Sequence, residues 1–304
     1  MITPQRPELY HRAEELASSL PPLLVAADRV ATTVSQGVHG RRRVGQGEVF
    51  WQFRRYQPGE SIKHIDWRQS AKSQPLYVRE NEWAAAQSVW LWRDGSPSMD
   101  YASVQTLPKK RERADLLMLA LASLLIRGGE RVTALGSGLR PASGRAALHR
   151  LAAVIAEDRL SRSSLPVLEP LPRHCRVVLF GDFLSPLPVV KAAIDGFVGA
   201  GVRGHLLQIT DPAEEALPFA GRILFEGMEA DGDVLFGRVE SVRSDYRDTL
   251  AAHRRGLDAL TQAAGWTYGV HHTDRPPQEA LLSLYVTLSM PIGATGVRGH
   301  AGRR

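Results

Sequence analysis

The chain is poor in cysteine and in long apolar runs. Cys175 is the single cysteine among 304 residues, which excludes an internal disulfide framework and a cysteine-rich zinc site. The longest apolar stretches, at 116–126 and 281–291, are too short or too interrupted to span a bilayer. The N-terminal residues lack the basic-then-apolar order of a secretion signal. The sequence therefore predicts a cytoplasmic protein without a transmembrane segment.

Several familiar catalytic and nucleotide-binding motifs are also missing from the sequence. There is no Gly-x-x-x-x-Gly-Lys-Ser/Thr loop and no Gly-x-Gly-x-x-Gly after a strand, which argues against the common phosphate-binding and dinucleotide-binding folds. There is no Gly-x-Ser-x-Gly nucleophile elbow. His271-His272 has no partner at metal-ligand spacing. These absences set aside several familiar chemistries.

Positive charge is present in excess and is concentrated near the N-terminus. The formal net charge is +6, and residues 40–72 hold eight Lys or Arg against three Asp or Glu. Such a patch can contact nucleic acid, anionic lipid or an acidic protein surface, or it can be a solvated strand face with structural ion pairs. The candidate partner-binding residues in this stretch are Arg41, Arg42, Arg43, Arg54 and Arg55.

The pattern of the chain changes along its length. Residues 8–20 and 23–35 are helical in pattern and are separated by Pro21-Pro22. Extended stretches follow at 48–56, 61–67 and 75–82. We predict four parts, which are an N-terminal helical segment (1–36), an Arg-rich β appendage (37–84), a main domain (85–291) and a disordered basic tail (292–304).

From Ala86 onward, strand and helix patterns alternate, which favours an α/β fold with a largely parallel sheet covered by helices on both faces. A short hairpin is predicted around Asp231-Gly232. The predicted strands lie at 88–93, 131–135, 175–180, 204–210 and 266–271. The predicted helices lie at 109–127, 145–158, 188–200, 241–264 and 277–288.

The most informative motif is Asp94-Gly95-Ser96-Pro97-Ser98, which directly follows the predicted strand at 88–93. It places one carboxylate and two hydroxyls on a turn at the carboxyl end of a strand, where open α/β sheets bind their ligands. Hard oxygens of this kind suit a Mg²⁺ or Mn²⁺ ion that keeps several waters. The alternative is a simple turn in which Asp94 or Ser98 caps the following helix.

A second carboxylate, Asp182, follows the predicted strand at 175–180. If that strand adjoins the strand before Asp94, the two carboxylates lie at one edge of the sheet, at its topological switch point. A second acid at this position strengthens the metal-site interpretation. Asp182 could instead cap the helix that begins near Pro188 or brace its own loop.

Two groups of sequence blocks carry a family resemblance. The upstream group is Gly45-Gln46-Gly47-Glu48-Val49-Phe50, then Arg54-Arg55-Tyr56-Gln57-Pro58-Gly59-Glu60, then Ile65-Asp66-Trp67-Arg68-Gln69-Ser70-Ala71. The downstream group is Val78-Arg79-Glu80, Asp94-x-Ser96-x-Ser98-Met99, Gly181-Asp182-Phe183 and Asp211-Pro212-Ala213-Glu214. Taken together and in this order, the blocks resemble domain-of-unknown-function family fifty-eight over about residues 35–290.

The resemblance implies a von Willebrand factor A-like fold, which is a Rossmann-like α/β domain of three layers. It also implies a metal-ion-dependent adhesion site whose ligands here are Asp94, Ser96, Ser98 and Asp182. Members of the family are typically encoded beside a MoxR-type AAA+ ATPase, and their molecular activity is not established.

One expected ligand of such a site is missing from this sequence. A threonine from an intervening loop normally completes an adhesion site of this type, but residues 136–144 contain no threonine. Ser143 or Ser137 could supply a hydroxyl in its place.

We therefore expect a non-enzymatic protein-interaction module that acts with a MoxR-type AAA+ ATPase in the assembly or remodelling of protein complexes. Mg²⁺ or Mn²⁺ at the adhesion-like site would accept a partner's carboxylate as a further ligand. One alternative is a Mg²⁺-dependent hydrolase that uses the same site. Another, which the sequence favours least, is nucleic-acid binding through the Arg-rich appendage.

Overall fold

The computed structural model describes residues 24–35, 49–56, 65, 67–72, 75–82, 87–158, 160, 162–228 and 232–289. The chain divides into a larger unit, Met1–Gly37 with Gln87–Arg304, and a smaller unit, Val38–Ala86. Residues 24–35 are helical (α1) and belong to the larger unit. The helix predicted at 8–20 and the tail at 292–304 lie outside the described residues. Within the described ranges, no helix has the length and hydropathy needed to cross a bilayer.

The smaller unit is built on an antiparallel pair of strands. Strand β1 (Val49–Arg55) pairs with β2 (Tyr77–Glu82), and a bulge interrupts their register between Phe50 and Gln52. A short helix, α2 (Trp67–Ser70), lies between them in the chain. The prediction of an extended stretch at 61–67 is wrong at Trp67, because one helical turn begins there and its buried Ser70 hydroxyl accepts the Tyr77 N–H at 2.9 Å.

The larger unit contains a five-stranded parallel sheet. Its strands are β3 (Ser88–Arg93), β4 (Arg131–Ala134), β5 (Arg176–Gly181), β6 (Arg203–Thr210) and β9 (Thr267–His272). They lie in the order β4-β3-β5-β6-β9. The central strands are buried over most of their length, as expected for a parallel sheet with both faces covered. The predicted α/β fold is thus confirmed.

Helices cover the two faces of this sheet. Each strand and helix predicted in this region is present, with ends shifted by at most two residues, and a short helix after β6 is additional. The predicted hairpin is formed by β7 (Ile223–Phe225) and β8 (Val234–Phe236). The helices are α3 (Lys110–Arg127), α4 (Arg145–Ala156), α5 (Leu187–Gly199), α6 (Pro212–Ala216), α7 (Arg243–Ala263) and α8 (Pro277–Ser289).

Alternation along the strands gives the sheet one core on each face. Trp90 and Trp92 of β3 pack with Ile194 and Phe197 of α5 and with Leu257 of α7 in a single buried cluster. On the opposite face, α3 crosses β3 to β6 and is flanked by α4 and α8. The result is a three-layer α/β arrangement that fixes the loops at the ends of its strands.

The strand order has a switch point between β3 and β5. The chain leaves β3 and returns to β4 on one side, whereas β5 and β6 are added on the other side. At such a point, the loops that follow the two adjacent strands diverge and leave a crevice at the carboxyl edge of the sheet. The loops that begin at Asp94 and Asp182 flank this crevice.

We predict that His205, buried in β6, makes stability depend on pH. Burial lowers the pKa of His205 to about 4, so the unfolded chain binds a proton at higher pH than the folded chain does. Stability should therefore fall as pH drops from about 6.5 to 4, with about 2 kcal/mol of this loss reached at pH 5.

Urea unfolding at pH 7.5 and pH 5 should show a smaller loss of stability in His205→Gln than in the wild type. His149→Gln, on the exposed surface of α4, is the control, and an equal loss in His205→Gln and wild type would contradict the prediction.

Candidate functional site

The turn after β3 folds its polar side chains back on one another. The Asp94 N–H donates to the Phe180 carbonyl at 2.8 Å and so extends the β3–β5 pairing by one residue. Asp94 Oδ1 accepts the Ser96 N–H at 2.8 Å and the Ser96 hydroxyl at 2.6 Å. Ser96 Oγ lies 3.0 Å from Ser98 Oγ. The turn therefore brings one carboxylate and two hydroxyls into one cluster, in which the Ser96 hydroxyl donates its proton to Asp94.

Asp182, which follows β5, adds a second carboxylate to this cluster. Ser98 Oγ donates to Asp182 Oδ2 at 2.7 Å. The main-chain carbonyl of Asp182 accepts the Gln208 side-chain amide at 2.7 Å, which ties the loop to β6. The structure thus brings together Asp94, Ser96, Ser98 and Asp182, the four residues predicted to form a site.

The helix-cap alternative is wrong for these residues. A short 3₁₀ turn, Pro97–Asp100, begins within the motif and has no side-chain cap, and α3 begins only at Lys110. Helix α5 has Pro186 at its N-cap position, so Asp182 does not cap it. Asp182 does brace its own loop, because its Oδ1 accepts the Leu184 N–H at 3.4 Å.

Lys110 supplies a cation to the cluster. This lysine is the first residue of α3, and its side chain is fully buried. Its Nζ lies 3.0 Å from Asp182 Oδ2 and 2.5 Å from Glu214 Oε1. Burial works to lower the pKa of Lys110, but the two carboxylates outweigh it and raise this pKa above its ordinary value. Burial also raises the pKa of Glu214, against the lowering effect of Lys110; the lysine, as the far stronger base, keeps the proton.

Glu214 is held in place by the capping box of α6. Asp211 Oδ1 accepts the Ala213 N–H at 2.8 Å, and Glu214 Oε2 accepts the Asp211 N–H at 2.8 Å, the reciprocal pattern of a capping box. Asp211 Oδ2 also accepts the Ser103 N–H at 2.9 Å. The loop after β6 is therefore tied both to α3 and to the loop after β3. We call the six linked residues the edge cluster, and its members are Asp94, Ser96, Ser98, Lys110, Asp182 and Glu214.

Two arginines support the turn after β3 from outside the edge cluster. Arg93 is 1% exposed and pairs with Asp115 at 2.8 Å. Arg111 pairs with Asp100 at 2.8 Å and donates to the Gly95 carbonyl at 3.1 Å. Burial raises the pKa of Asp115 to about 7, although both arginines lower it. These contacts hold the backbone of the turn in place.

The two serines considered as replacements for the threonine have other surroundings. Ser137 donates its hydroxyl to the Ala134 carbonyl at 2.6 Å, and Ser143 lies exposed before α4. Within the described residues, the contacts of the edge cluster run from Asp94 to Glu214 and include neither Ser137 nor Ser143. The loop after β4 thus supplies no hydroxyl to this chain of contacts.

The arginines predicted to bind a partner are described only in part. Arg54 and Arg55 end β1, and Arg55 is exposed. Arg41, Arg42 and Arg43 lie outside the described residues. A binding role for these five side chains stays a prediction.

The edge cluster has suitable oxygens for a divalent ion, but its geometry does not fit one well. Mg²⁺ in proteins keeps several waters, whereas Asp94, Ser96 and Asp182 are each at most 3% exposed. The Lys110 ammonium already contacts the Asp182 oxygen to which Ser98 donates. Among the described residues, no group of three or more His, Cys, Asp or Glu is arranged to hold a metal ion. Binding of Mg²⁺ or Mn²⁺ stays a prediction.

Lys110 and Glu214 were not predicted as site residues, although each carries a signal. A lysine in the first turn of a helix opposes the helix dipole, which suggests a specific acidic partner for Lys110. Asp211-Pro212-Ala213-Glu214 has the Asp, the Pro and the Glu of a capped helix start. That pattern marks Glu214 as a fixed carboxylate at the carboxyl end of β6.

Comparison with known proteins identifies the family. The model of a family described as protein of unknown function DUF58 matches residues 52–256. This chain belongs to the DUF58 family. The match includes β3, β5, β6 and every residue of the edge cluster.

Two curated relatives of this DUF58 chain are uncharacterized proteins of Mycobacterium tuberculosis and Mycobacterium bovis. Each is 26% identical in an alignment 276 positions long, which covers 86% of this chain and 86% of the relative. An aerotolerance-related membrane protein of Bacteroides fragilis matches with a TM-score of 0.38 and 16% identity, over 66% of this chain and 98% of that one. BatB, a conserved hypothetical protein of Bacteroides thetaiotaomicron, matches with a TM-score of 0.33 and 14% identity, over 67% and 98%.

We predict that Gly181→Ala disturbs the edge cluster. A Cβ at position 181 would lie 2.9 Å from Asp94 Cβ, which is near the backbone and cannot swing away. We expect a loss of about 1–3 kcal/mol in the free energy of unfolding, typical of overpacking, measured by urea denaturation. Gly199→Ala is the matched control, since a Cβ there meets nothing within 4 Å. Equal stability of the two variants would show that Asp94 is not confined by β5.

Proposed function

We propose that this DUF58 protein is a non-enzymatic protein-interaction module whose contact surface is formed by the loops around the edge cluster. Its partner in this proposal is a MoxR-type AAA+ ATPase, with which it acts in the assembly or remodelling of protein complexes. The observation that carries the proposal is the edge cluster itself, a chain of contacts that joins three loops and the start of α3. The partner class is taken from the family resemblance.

Fixed loops favour binding because little conformational entropy is lost when a partner docks. The loops after β3, β5 and β6 are linked through Asp94, Asp182 and Glu214 to the buried Lys110. When a surface is already ordered, association does not carry the free-energy cost of immobilising its side chains. These loops therefore form a suitable base for recognition of another protein.

The same contacts argue against a catalytic role for the carboxylates. A general base must reach the substrate with a free lone pair. Asp182 is 3% exposed and accepts from both Ser98 and Lys110, and Glu214 is paired with the same lysine. These carboxylates serve to hold the loops together, which supports the interaction module over the hydrolase.

Around the buried cluster, the loops expose side chains that a partner can contact. Leu184, two residues after Asp182, is 47% exposed, and Val104, in the loop after the 3₁₀ turn, is 50% exposed. Large apolar side chains that are open to solvent beside fixed loops are typical contact points for proteins. We place the ATPase contact at this surface.

The test is a binding measurement with a purified MoxR-type AAA+ ATPase. We expect Leu184→Asp to weaken binding by about tenfold or more, because a charge would replace an apolar contact in the interface. Val198→Asp is the matched control, since Val198 is 39% exposed near the C-terminal end of α5, away from the carboxyl edge. Absence of ATPase binding by the wild type would reject the partner, and equal weakening by both variants would reject the surface.

A further inference from the structure

The centre of the edge cluster is held by a positive charge that belongs to the chain itself. The Lys110 ammonium is 3.0 Å from Asp182 Oδ2 and 2.5 Å from Glu214 Oε1, and its side chain is 0% exposed. A buried ammonium is tolerated only when ionised partners compensate its lost hydration. One partner carboxylate lies on the loop after β5, and the other lies on α6, the short helix that follows β6.

A divalent ion at an Asp-x-Ser-x-Ser turn would draw the motif and the second acid together through shared coordination. In this protein a hydrogen bond already connects the two loops. The Ser98 hydroxyl bridges from the motif to Asp182 at 2.7 Å, and Lys110 bridges from Asp182 to Glu214. The connection that shared coordination would provide between the motif and Asp182 is thus made by a proton donor of the chain.

We infer that Lys110 is the resident cation of the edge cluster and takes the place of a divalent metal ion. The site is therefore assembled, and presented to a partner, without Mg²⁺ or Mn²⁺. The statement about the metal concerns the free protein, whereas the statement about partner binding rests on the proposed function.

Competition between the lysine and a metal ion favours the lysine. An ion that coordinated Asp182 Oδ2 would have to displace the ammonium 3.0 Å away or remain beside a like charge. Displacement would leave a buried ammonium with a single carboxylate, and the loss of one partner from a buried pair is strongly destabilising. A free ion also loses translational entropy when it binds, whereas the lysine is already covalently part of the chain.

The test uses Mn²⁺ alone as the probe, with the purified full chain and no partner. We expect millimolar Mn²⁺ to cause no shift in the melting temperature of the wild type and no bound signal in electron paramagnetic resonance. Lys110→Met, which keeps the length of the side chain but not its charge, should melt about 10 °C lower. Lys109→Met, at the exposed neighbouring lysine, is the matched control and should melt as the wild type does.

Two results would overturn the inference. One is Mn²⁺ binding to the wild type that is lost in Ser98→Ala, since the ion would then occupy the site together with Lys110. The other is a melting temperature of Lys110→Met equal to that of Lys109→Met. If Lys110→Met does not fold, the Mn²⁺ measurement on the wild type and on Ser98→Ala decides alone. A rise in the melting temperature of Lys110→Met with Mn²⁺, absent from the wild type, would identify the lysine as the occupant of the cation position.

Measuring the affinity for the ATPase in EDTA tests this inference separately from the proposed function. We expect EDTA to change the affinity of the wild type for the ATPase by less than about twofold. A large loss of affinity in EDTA that added Mg²⁺ restores would overturn the inference while leaving the partner assignment intact. If the ATPase does not bind at all, the proposed function fails, and the Mn²⁺ titration still tests the role of Lys110.

Discussion

The carboxyl edge of the sheet depends on one buried charge, the ammonium of Lys110. Removing an ammonium from water is costly, and the cost is offset only where carboxylates meet it at short range. Asp182 and Glu214 do so from the loops after β5 and β6. If either carboxylate moved away, the buried ammonium would lose an ionised partner, which is strongly destabilising. The start of α3 and these two loops are therefore held in one arrangement.

The positions of the polar side chains from Asp94 to Ser98 depend on this buried ion pair, because Ser98 and Lys110 contact the same Asp182 oxygen. Ser98 donates to an Asp182 oxygen whose position the lysine fixes, and Ser96, 3.0 Å from Ser98, donates to Asp94. Gly181 allows the approach, because any side chain there would meet Asp94. The motif that looks like an ion site in the sequence is thus held in place by hydrogen bonds of the chain, and the surface offered to a partner is the set of loops around it.

Prediction from the sequence was most accurate where the signal is local or periodic. The apolar runs of β3 and β5 gave their positions within one residue, and the rule that parallel strands end at one edge correctly brought Asp94 near Asp182. Lys110 was missed because the destination of a long flexible side chain depends on strands far away in the chain. Glu214 was missed although its capping-box pattern is local. At Trp67, β-prone neighbours concealed a single helical turn.

The members of the edge cluster come from three separate regions of the chain, at positions 94–110, 182 and 214. No short loop brings these three regions together, so the ion pairs of Lys110 require that β3, β5 and β6 are paired. A partly folded chain lacks these ion pairs, and its Lys110 stays hydrated. We therefore expect the buried lysine to stabilise only the sheet with its native strand order.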